Sequence, residues 1–321
     1  MMQSTRPPKF IMLVGLPGSG KSTYIEKYYA NTNVHSSDAI REELSGDVNN
    51  QDINKQVFEL LHKRVKEDLR NGIDTIYDAT NISWKRRKAF LAELTKIPCY
   101  KCCVLMATPF EVCVDRQYNR DRQVPYQVIE RMYKNFDIPW YNEGWDDISV
   151  AYTNSIFTYY YGDWSCFMLD HLNFDQESEW HSATLGNHCL KTTQWVQNNT
   201  NRLNSYTCAE TEIAAALHDC GKPFCKVFKD SKGNDSEFAH YYNHENVGAY
   251  NSLFYSKELG TDNLLVAALI RYHMILHFFK GWPQKTIDKY EKEFTSSHHY
   301  LEEIGFYTAL KVLHEGDSAA H

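Results

Sequence analysis

The sequence predicts an α/β domain built on a parallel sheet, followed by an all-α domain, and three observations carry that prediction. A glycine-rich loop, Gly15-Leu-Pro-Gly-Ser-Gly-Lys-Ser22, lies between an apolar strand-length run and a helix-forming segment. Strand and helix signals then alternate as far as about Met106, as a parallel sheet requires, because each parallel pair needs a crossover between its strands. Beyond about Asp170 the strand signals fade and helical periodicity takes over. A chain of 321 residues exceeds one ordinary core, so two domains are expected, residues 1–165 and 166–321.

Each element has its own signal. Residues 10–14 form the first strand and 23–29 the helix after the loop. Residues 33–36 read as a second strand, and Ser37-Asp38 caps a helix over 39–44, since short polar side chains satisfy a helix's first N–H groups. A longer helix over 54–70 ends at Asn71-Gly72. A strand over 73–77 delivers Asp78-Ala-Thr-Asn81, followed by a helix over 84–96 and a buried strand over 100–106. Residues 109–135 are helical with a break at Val124-Pro125, because proline has no N–H to continue the ladder. Residues 139–147 read as irregular and 156–161 as one more strand. The remaining helices are expected over 181–197, 208–218, 244–257, 263–277 and 297–314.

Charge and histidine divide the chain the same way. Residues 1–164 hold 21 basic and 21 acidic side chains, and 165–321 hold 13 and 20, so the net charge of -7 lies entirely in the second half. Twelve of the 14 histidines lie at or beyond His171, a concentration that points to a metal site there. An acidic chain argues against a dedicated non-specific nucleic-acid binder, although a local Lys/Arg groove can still hold a strand end. No run reaches the ~18 apolar residues of a membrane span. With no signal-peptide pattern at residue 1, a cytoplasmic protein is expected. The nine cysteines lack paired metal-ligand spacing and read as reduced thiols rather than a disulfide framework.

The loop fits G-x-x-x-x-G-K-[ST]. Gly15, Gly18 and Gly20 let backbone N–H groups face phosphate oxygens, with Ser22 and Thr23 opening the helix beneath them. Lys21 reaches the β- and γ-phosphates of ATP, and the Ser22 hydroxyl ligates Mg²⁺. Phosphoryl transfer also needs a base at the acceptor hydroxyl and cations around the transferring group. Asp38 and Arg41 share one face of a helix start: the carboxylate can take the acceptor proton while the guanidinium holds an anionic part of the acceptor. A plain cap with a solvated arginine is the competing reading. Asp78 ends an apolar strand, where a Mg²⁺-linked carboxylate belongs, though aspartate also commonly starts turns. Arg116 and Arg120 stand at i, i+4 with Arg122 close behind, which fits a cationic lid over ATP or a merely exposed basic helix.

In the second half, His188, His218-Asp219, His244, His273 and Asp317 recur at intervals that permit one ligand per successive helix, converging in a bundle core. His188, His218, Asp219 and Asp317 can bind one ion, and His244 and His273 a second with Asp219 as the bridge. Mixed imidazole and carboxylate ligation suits Mn, Fe, Co, Ni or Zn better than calcium. The chain stops four residues after Asp317, which places that ligand at an end prone to fraying, with Glu315-Gly316 turning the chain toward the ion. His181 and His240 are weaker candidates; His277, His298, His299 and His321 carry no assigned role. Among the aromatic residues, Trp84 and Tyr126 are candidates for stacking on a base.

The order Gly-Leu-Pro-Gly-Ser-Gly-Lys-Ser-Thr, Ser-Asp-Ala-Ile-Arg41, Asp78-Ala-Thr-Asn81 and Arg116-Gln-Tyr-Asn-Arg120-Asp-Arg122 resembles the polynucleotide 5′-kinases across about residues 9–150. The resemblance implies Asp38 as general base, Arg41 on the phosphate next to the acceptor nucleotide, Thr80 near the acceptor pocket and Arg120 as the main lid arginine. The H…HD…H…H…D order over 170–321 is similar to the HD-domain phosphohydrolases. That resemblance implies phosphoester hydrolysis with one or two transition-metal ions, and Lys222 holding the phosphate. Together they imply a bifunctional enzyme that heals RNA or DNA ends: 5′-hydroxyl phosphorylation plus removal of a 2′,3′-cyclic phosphate or 2′-phosphate, with a separate ligase as the downstream partner. The alternatives are a nucleoside or metabolite kinase fused to a nucleotide phosphohydrolase, and a nucleotide-sensing or RNA-binding module.

Overall fold

The computed structural model describes residues 6–120, 123–152, 164–180, 182–255 and 260–321. Backbone contacts divide the chain into two units, Met1–Ile129 with Pro139–Thr153, and Glu130–Ile138 with Asn154–His321. Among the described residues no helix is long and apolar enough to cross a membrane.

The first unit runs β1 (Lys9–Val14), α1 (Lys21–Tyr28), β2 (Asn33–Ser36), α2 (Ser37–Ser45), α3 (Asn54–Arg70), β3 (Thr75–Asp78), α4 (Trp84–Glu93), β4 (Tyr100–Ala107) and α5 (Phe110–Tyr118). α6 (Tyr126–Lys134) follows, its residues from Glu130 onward belonging to the second unit, and β5 (Asp147–Tyr152) completes the sheet. Strand order is β2-β3-β1-β4-β5, with all pairs parallel. The apolar runs of β1 and β4 are buried because helices cover both faces of such a sheet, and Ile11, Leu13, Ile25, Ile76, Val104 and Met106 pack into one core. β1 lies in the middle, where the chain steps to β2 on one side and later to β4 on the other. The loop after β1 therefore opens at the sheet's switch point, at the carboxyl ends of the strands.

Two differences concern the end of this unit. The stretch read as irregular contains a 3-10 turn, Tyr141–Glu143, and then yields β5, a strand whose alternation is obscured because it begins at Asp147, directly after Asp146. The strand expected over 156–161 lies outside the described residues.

The second unit contains α7 (Trp164–Asp170), α8 (Leu185–Gln197), α9 (Cys208–Leu217), α10 (Lys222–Cys225), β6 (Val227–Lys229), β7 (Asp235–His240) and α11 (His244–Tyr255). It continues with α12 (Asn263–Tyr272), α13 (Ile275–Phe279), α14 (Gln284–Ser296), α15 (His299–Ile304) and α16 (Phe306–Ala319). Helices α8, α9, α11, α12 and α16 pack around one another. Every residue of α12 from Leu264 to Ile270 is buried, as befits a helix apolar all round. Segment 130–138 belongs here: the Arg271 guanidinium donates to Asp137 Oδ1 at 2.6 Å, and Tyr133 donates to Asn251.

This unit is helical but not all-α. Residues 227–240 form a small antiparallel hairpin around Asp230, whose side chain accepts from the backbone N–H groups of Lys232 and Asn234. Turn chemistry makes a hairpin there that hydrophobic periodicity does not reveal. The helix expected over 297–314 is broken at Gly305, where φ is 66°, and α16 then continues through Glu315-Gly316 instead of turning. All nine cysteines are free, five of them buried.

Candidate functional site

The glycine loop brings its groups together as the spacing predicts. Gly18 and Gly20 have φ of 84° and 91°, and Gly15 N–H donates to Thr80 O at 3.0 Å, tying the loop to the end of β3. Lys21 Nζ donates to Gly15 O and Leu16 O, both at 2.9 Å, so it curls back over the loop. Burial lowers the Lys21 ammonium below its ordinary range, with Asp78 pulling the other way. Burial likewise raises the Asp78 carboxyl, with Lys21 opposing it. Asp78 pairs in register with Leu13 and with Ser36, so the sheet itself holds this carboxylate beside the loop. Ser22 and Thr23 lie exposed at the start of α1.

Asp38 sits in the first turn of α2 with 54% of its side chain exposed, and it accepts from Arg41 Nη1 at 2.8 Å. Arg41 is not a solvated cation: it is 5% exposed, and its Nη2 donates to Asn54 Oδ1 at 2.8 Å. Asn54 is the first residue of α3 and was not legible as a site residue, because only the crossover between α2 and α3 brings it here. It also lines a cavity of about 410 Å³ walled by Phe58, His62, Tyr77 and Phe90 and reaching Thr80 and Arg86. The line from Asp38 through Arg41 to Asn54 thus leads from a carboxylate to a pocket with aromatic walls.

Arg116 donates to Gly18 O at 3.1 Å, placing it on the loop. The i, i+4 pairing with Arg120 does not hold, because α5 ends at Tyr118, and Arg120 lies exposed beyond its cap. Arg122 lies outside the described residues. Trp84 is half-buried under Lys88, and Tyr126 is 44% exposed against Phe110. One pair went unread in the sequence: Arg87 Nε donates to Glu143 Oε2 at 2.7 Å with both side chains 1% exposed, and Trp145 Nε1 donates to the same carboxylate at 3.0 Å. Arg87 also donates to Asn81 O at 2.8 Å, which braces the segment after Asp78.

In the second unit the six predicted ligands meet as two buried trios, His188, His218 and Asp317, and Asp219, His244 and His273. His188 comes from α8, Asp317 from α16, and the His218-Asp219 corner closes α9. His244 begins α11 and His273 follows α12. Asp219 joins the trios. Its Oδ2 lies 3.5 Å from His188 Nε2 and 3.4 Å from His218 Nε2, and its Oδ1 lies 3.3 Å from His244 Nε2 and 3.9 Å from His273 Nε2.

The donor set fits transition-metal ions. His188 and His218 Nε2 are 3.1 Å apart, and His244 and His273 Nε2 are 3.4 Å apart. Two nitrogens bound tetrahedrally at ordinary imidazole distances are separated by about 3.3 Å. Nδ1 of His218, His244 and His273 meets the carbonyls of Ala215, Tyr241 and Ile270 at 2.8, 2.8 and 2.6 Å. A carbonyl only accepts, so those Nδ1 atoms carry hydrogen, and a neutral ring keeps its lone pair on Nε2. The carboxylates also favour positive charge: burial opposes protonation of His218, yet Asp219 and Asp317 push it up to about 10. Asp317 itself is held well below the carboxylate range, since hydrogen bonds from His188, His218 and His277 outweigh its burial. Its end of the chain is not frayed: Asp317 is 4% exposed within α16.

Lys222 does not project freely. Its Nζ lies 2.6 Å from Asp219 Oδ2 and donates to Gln176 Oε1 at 2.8 Å, over the ring of Tyr241. Gly221 makes the corner possible, because a Cβ there would sit 2.1 Å from His244 O. His240 lies on β7, its Nε2 3.1 Å from Ser236 Oγ, outside both trios. His181 is outside the described residues.

The fold and loop define the first unit as an α/β P-loop kinase domain. Residues 10–139 match the AAA_33 family, an AAA domain, and that segment contains Lys21, Asp38, Asp78 and Arg120. Over 155 residues the chain is 29% identical to the L-seryl-tRNA(Sec) kinase of Methanococcus maripaludis, covering 46% of this chain and 60% of that one. The chain thus spans less than two thirds of the length of this curated relative. Among solved structures, the Pnkp1/Rnl/Hen1 RNA repair complex is 22% identical with a TM-score of 0.37, covering 42% of this chain and 45% of that one. A gluconokinase from Sinorhizobium meliloti 1021 is 16% identical with a TM-score of 0.34, covering 47% and 85%.

Proposed function

We propose that the chain heals nucleic-acid ends: the first unit phosphorylates a 5′-hydroxyl with ATP, and the second removes a 2′,3′-cyclic phosphate or a 2′-phosphate. In the first unit Asp38 takes the proton of the acceptor hydroxyl as its oxygen attacks the γ-phosphorus and ADP leaves. Arg41, held by Asn54, binds the phosphate beside the acceptor nucleotide. The Gly15, Gly18 and Gly20 backbone and Lys21 hold the ATP phosphates, Arg116 and Arg120 neutralise their charge, and Ser22 and Asp78 hold Mg²⁺. The name of the relative at 29% identity supports an RNA-borne acceptor, since it denotes a kinase of seryl-tRNA.

The observation that carries the second activity is the buried Asp219 facing both trios, an arrangement suited to two ions on one phosphoester. When bound, such ions supply Lewis acidity at a phosphoryl oxygen and make water more acidic. His188, His218 and Asp317 would hold one ion and His244 and His273 the other. Lys222 keeps the shared carboxylate charged and oriented and offers a cation beside the scissile phosphate.

The test is an RNA bearing a 5′-hydroxyl and a 2′,3′-cyclic phosphate, incubated with ATP, Mg²⁺ and Mn²⁺, with a free nucleoside as competing acceptor. The proposal expects the 5′-end to gain phosphate and the cyclic phosphate to open. Phosphorylation of the nucleoside in preference to the RNA would support a small-molecule kinase instead.

A further inference from the structure

Sequence order leaves His321 without a role, yet the fold brings it to the first trio. It follows Asp317 by four residues and lies just past Ala320, the cap of α16. His321 Nε2 lies 3.7 Å from Asp317 Oδ1, the same oxygen that faces His188 Nε2 at 3.1 Å and His218 Nε2 at 3.6 Å. The His321 and His188 ring centres are 5.2 Å apart, close to the 5.0 Å between His188 and His218. Three imidazole nitrogens therefore surround one carboxylate oxygen.

The tautomer also fits. His321 Nδ1 meets Trp180 O at 3.2 Å, and since that oxygen only accepts, Nδ1 holds the hydrogen. The lone pair of the neutral ring is then on Nε2, the atom that faces Asp317. His218, His244 and His273 are arranged alike, each anchored through Nδ1 to a carbonyl. Anchoring of this kind fixes ring orientation and raises ligand basicity. His321 differs in exposure: its side chain is 34% exposed, whereas those of His188 and His218 are fully buried.

We propose that His321 is a further ligand to the ion held by His188, His218 and Asp317, and that it closes the solvent side of that site. The added nitrogen shifts the donor set toward Co, Ni or Zn and away from oxygen-seeking Mg²⁺. The inference rests on the metal-centre reading given above.

The test titrates metal-stripped full-length protein with Co²⁺ alone, read by visible ligand-field absorption and by elemental analysis. His321→Ala and His321→Gln are compared with wild type and with His188→Ala, and circular dichroism and thermal unfolding of the same samples report folding. Each His321 variant is expected to bind one Co²⁺ at least ~10-fold more weakly, with altered absorption, and free imidazole should restore the absorption of the alanine variant. Wild-type titration and spectrum in both variants would overturn the proposal, as would a loss on which imidazole has no effect. If wild type takes up no Co²⁺ that His188→Ala removes, the metal-centre reading itself fails and this inference falls with it.

Discussion

In the proposed function Lys21 and Asp38 have separable tasks, one on the ATP phosphates and one on the acceptor, and both lie in the first unit. Lys21→Ala and Asp38→Asn should each reduce phosphate transfer at least ~100-fold, and elemental analysis should find the metal content of the second unit unchanged. Arg120 sits past the end of α5 and must reach ATP from an exposed position, so Arg120→Ala should raise the barrier by a few kcal/mol without weakening binding of the RNA. A comparison of kcat with KM checks it. At this scale the sequence marked the loop, Asp38, Arg41 and the six imidazoles and carboxylates, which the fold brings together as the loop, the Asp38–Arg41 pair and two buried trios, because each is a chemically distinctive residue at a motif spacing. It did not mark Asn54, Arg87 and Glu143, whose contacts form across long stretches of chain that no local pattern links.

Elements are positioned by a few close approaches and by buried ion pairs such as Arg87–Glu143. Gly221 lets α10 press against the start of α11, and a methyl group there would meet His244 O at 2.1 Å. Gly221→Ala should therefore displace His244, weaken Co²⁺ binding at the second trio and cost about 1–3 kcal/mol of stability, read by denaturant unfolding. Arg87 of α4 has no water to fall back on. Arg87→Met leaves the Glu143 carboxylate buried without its guanidinium, an uncompensated charge worth about 3–5 kcal/mol. A midpoint equal to wild type would show that Trp145 and the backbone suffice to hold that carboxylate.

Helix boundaries show why sequence reading falters at glycine. Gly316 was read as a turn because glycine commonly ends helices, yet here it lies inside α16. A Cβ at Gly316 would touch Trp195 and Val196 of α8 at 3.2 Å, so glycine serves close helix packing instead. That packing carries Asp317 to the trio. Gly305, by contrast, does break the helix, with α15 ending before it. The same residue type has opposite meanings, and only the neighbouring helix decides between them.

Over the whole molecule, each unit holds its own cluster of chemically distinctive side chains. The first is neutral and built around oxygen and ammonium groups on phosphate; the second is acidic and His-rich, with carboxylates and imidazoles arranged for cations. That division was visible in composition alone, because the phosphate loop draws on glycine and lysine while the second unit gathers histidine and acidic residues. In the proposed function, two independent sites act on the two ends of one broken strand. Its most direct test follows both ends of an RNA with a 5′-hydroxyl and a 2′,3′-cyclic phosphate through reactions with wild type, Lys21→Ala and His218→Ala, each with ATP, Mg²⁺ and Mn²⁺. Wild type should process both ends, Lys21→Ala only the cyclic phosphate and His218→Ala only the 5′-hydroxyl. Loss of both activities in either variant, or a cyclic phosphate left intact by wild type, would contradict it.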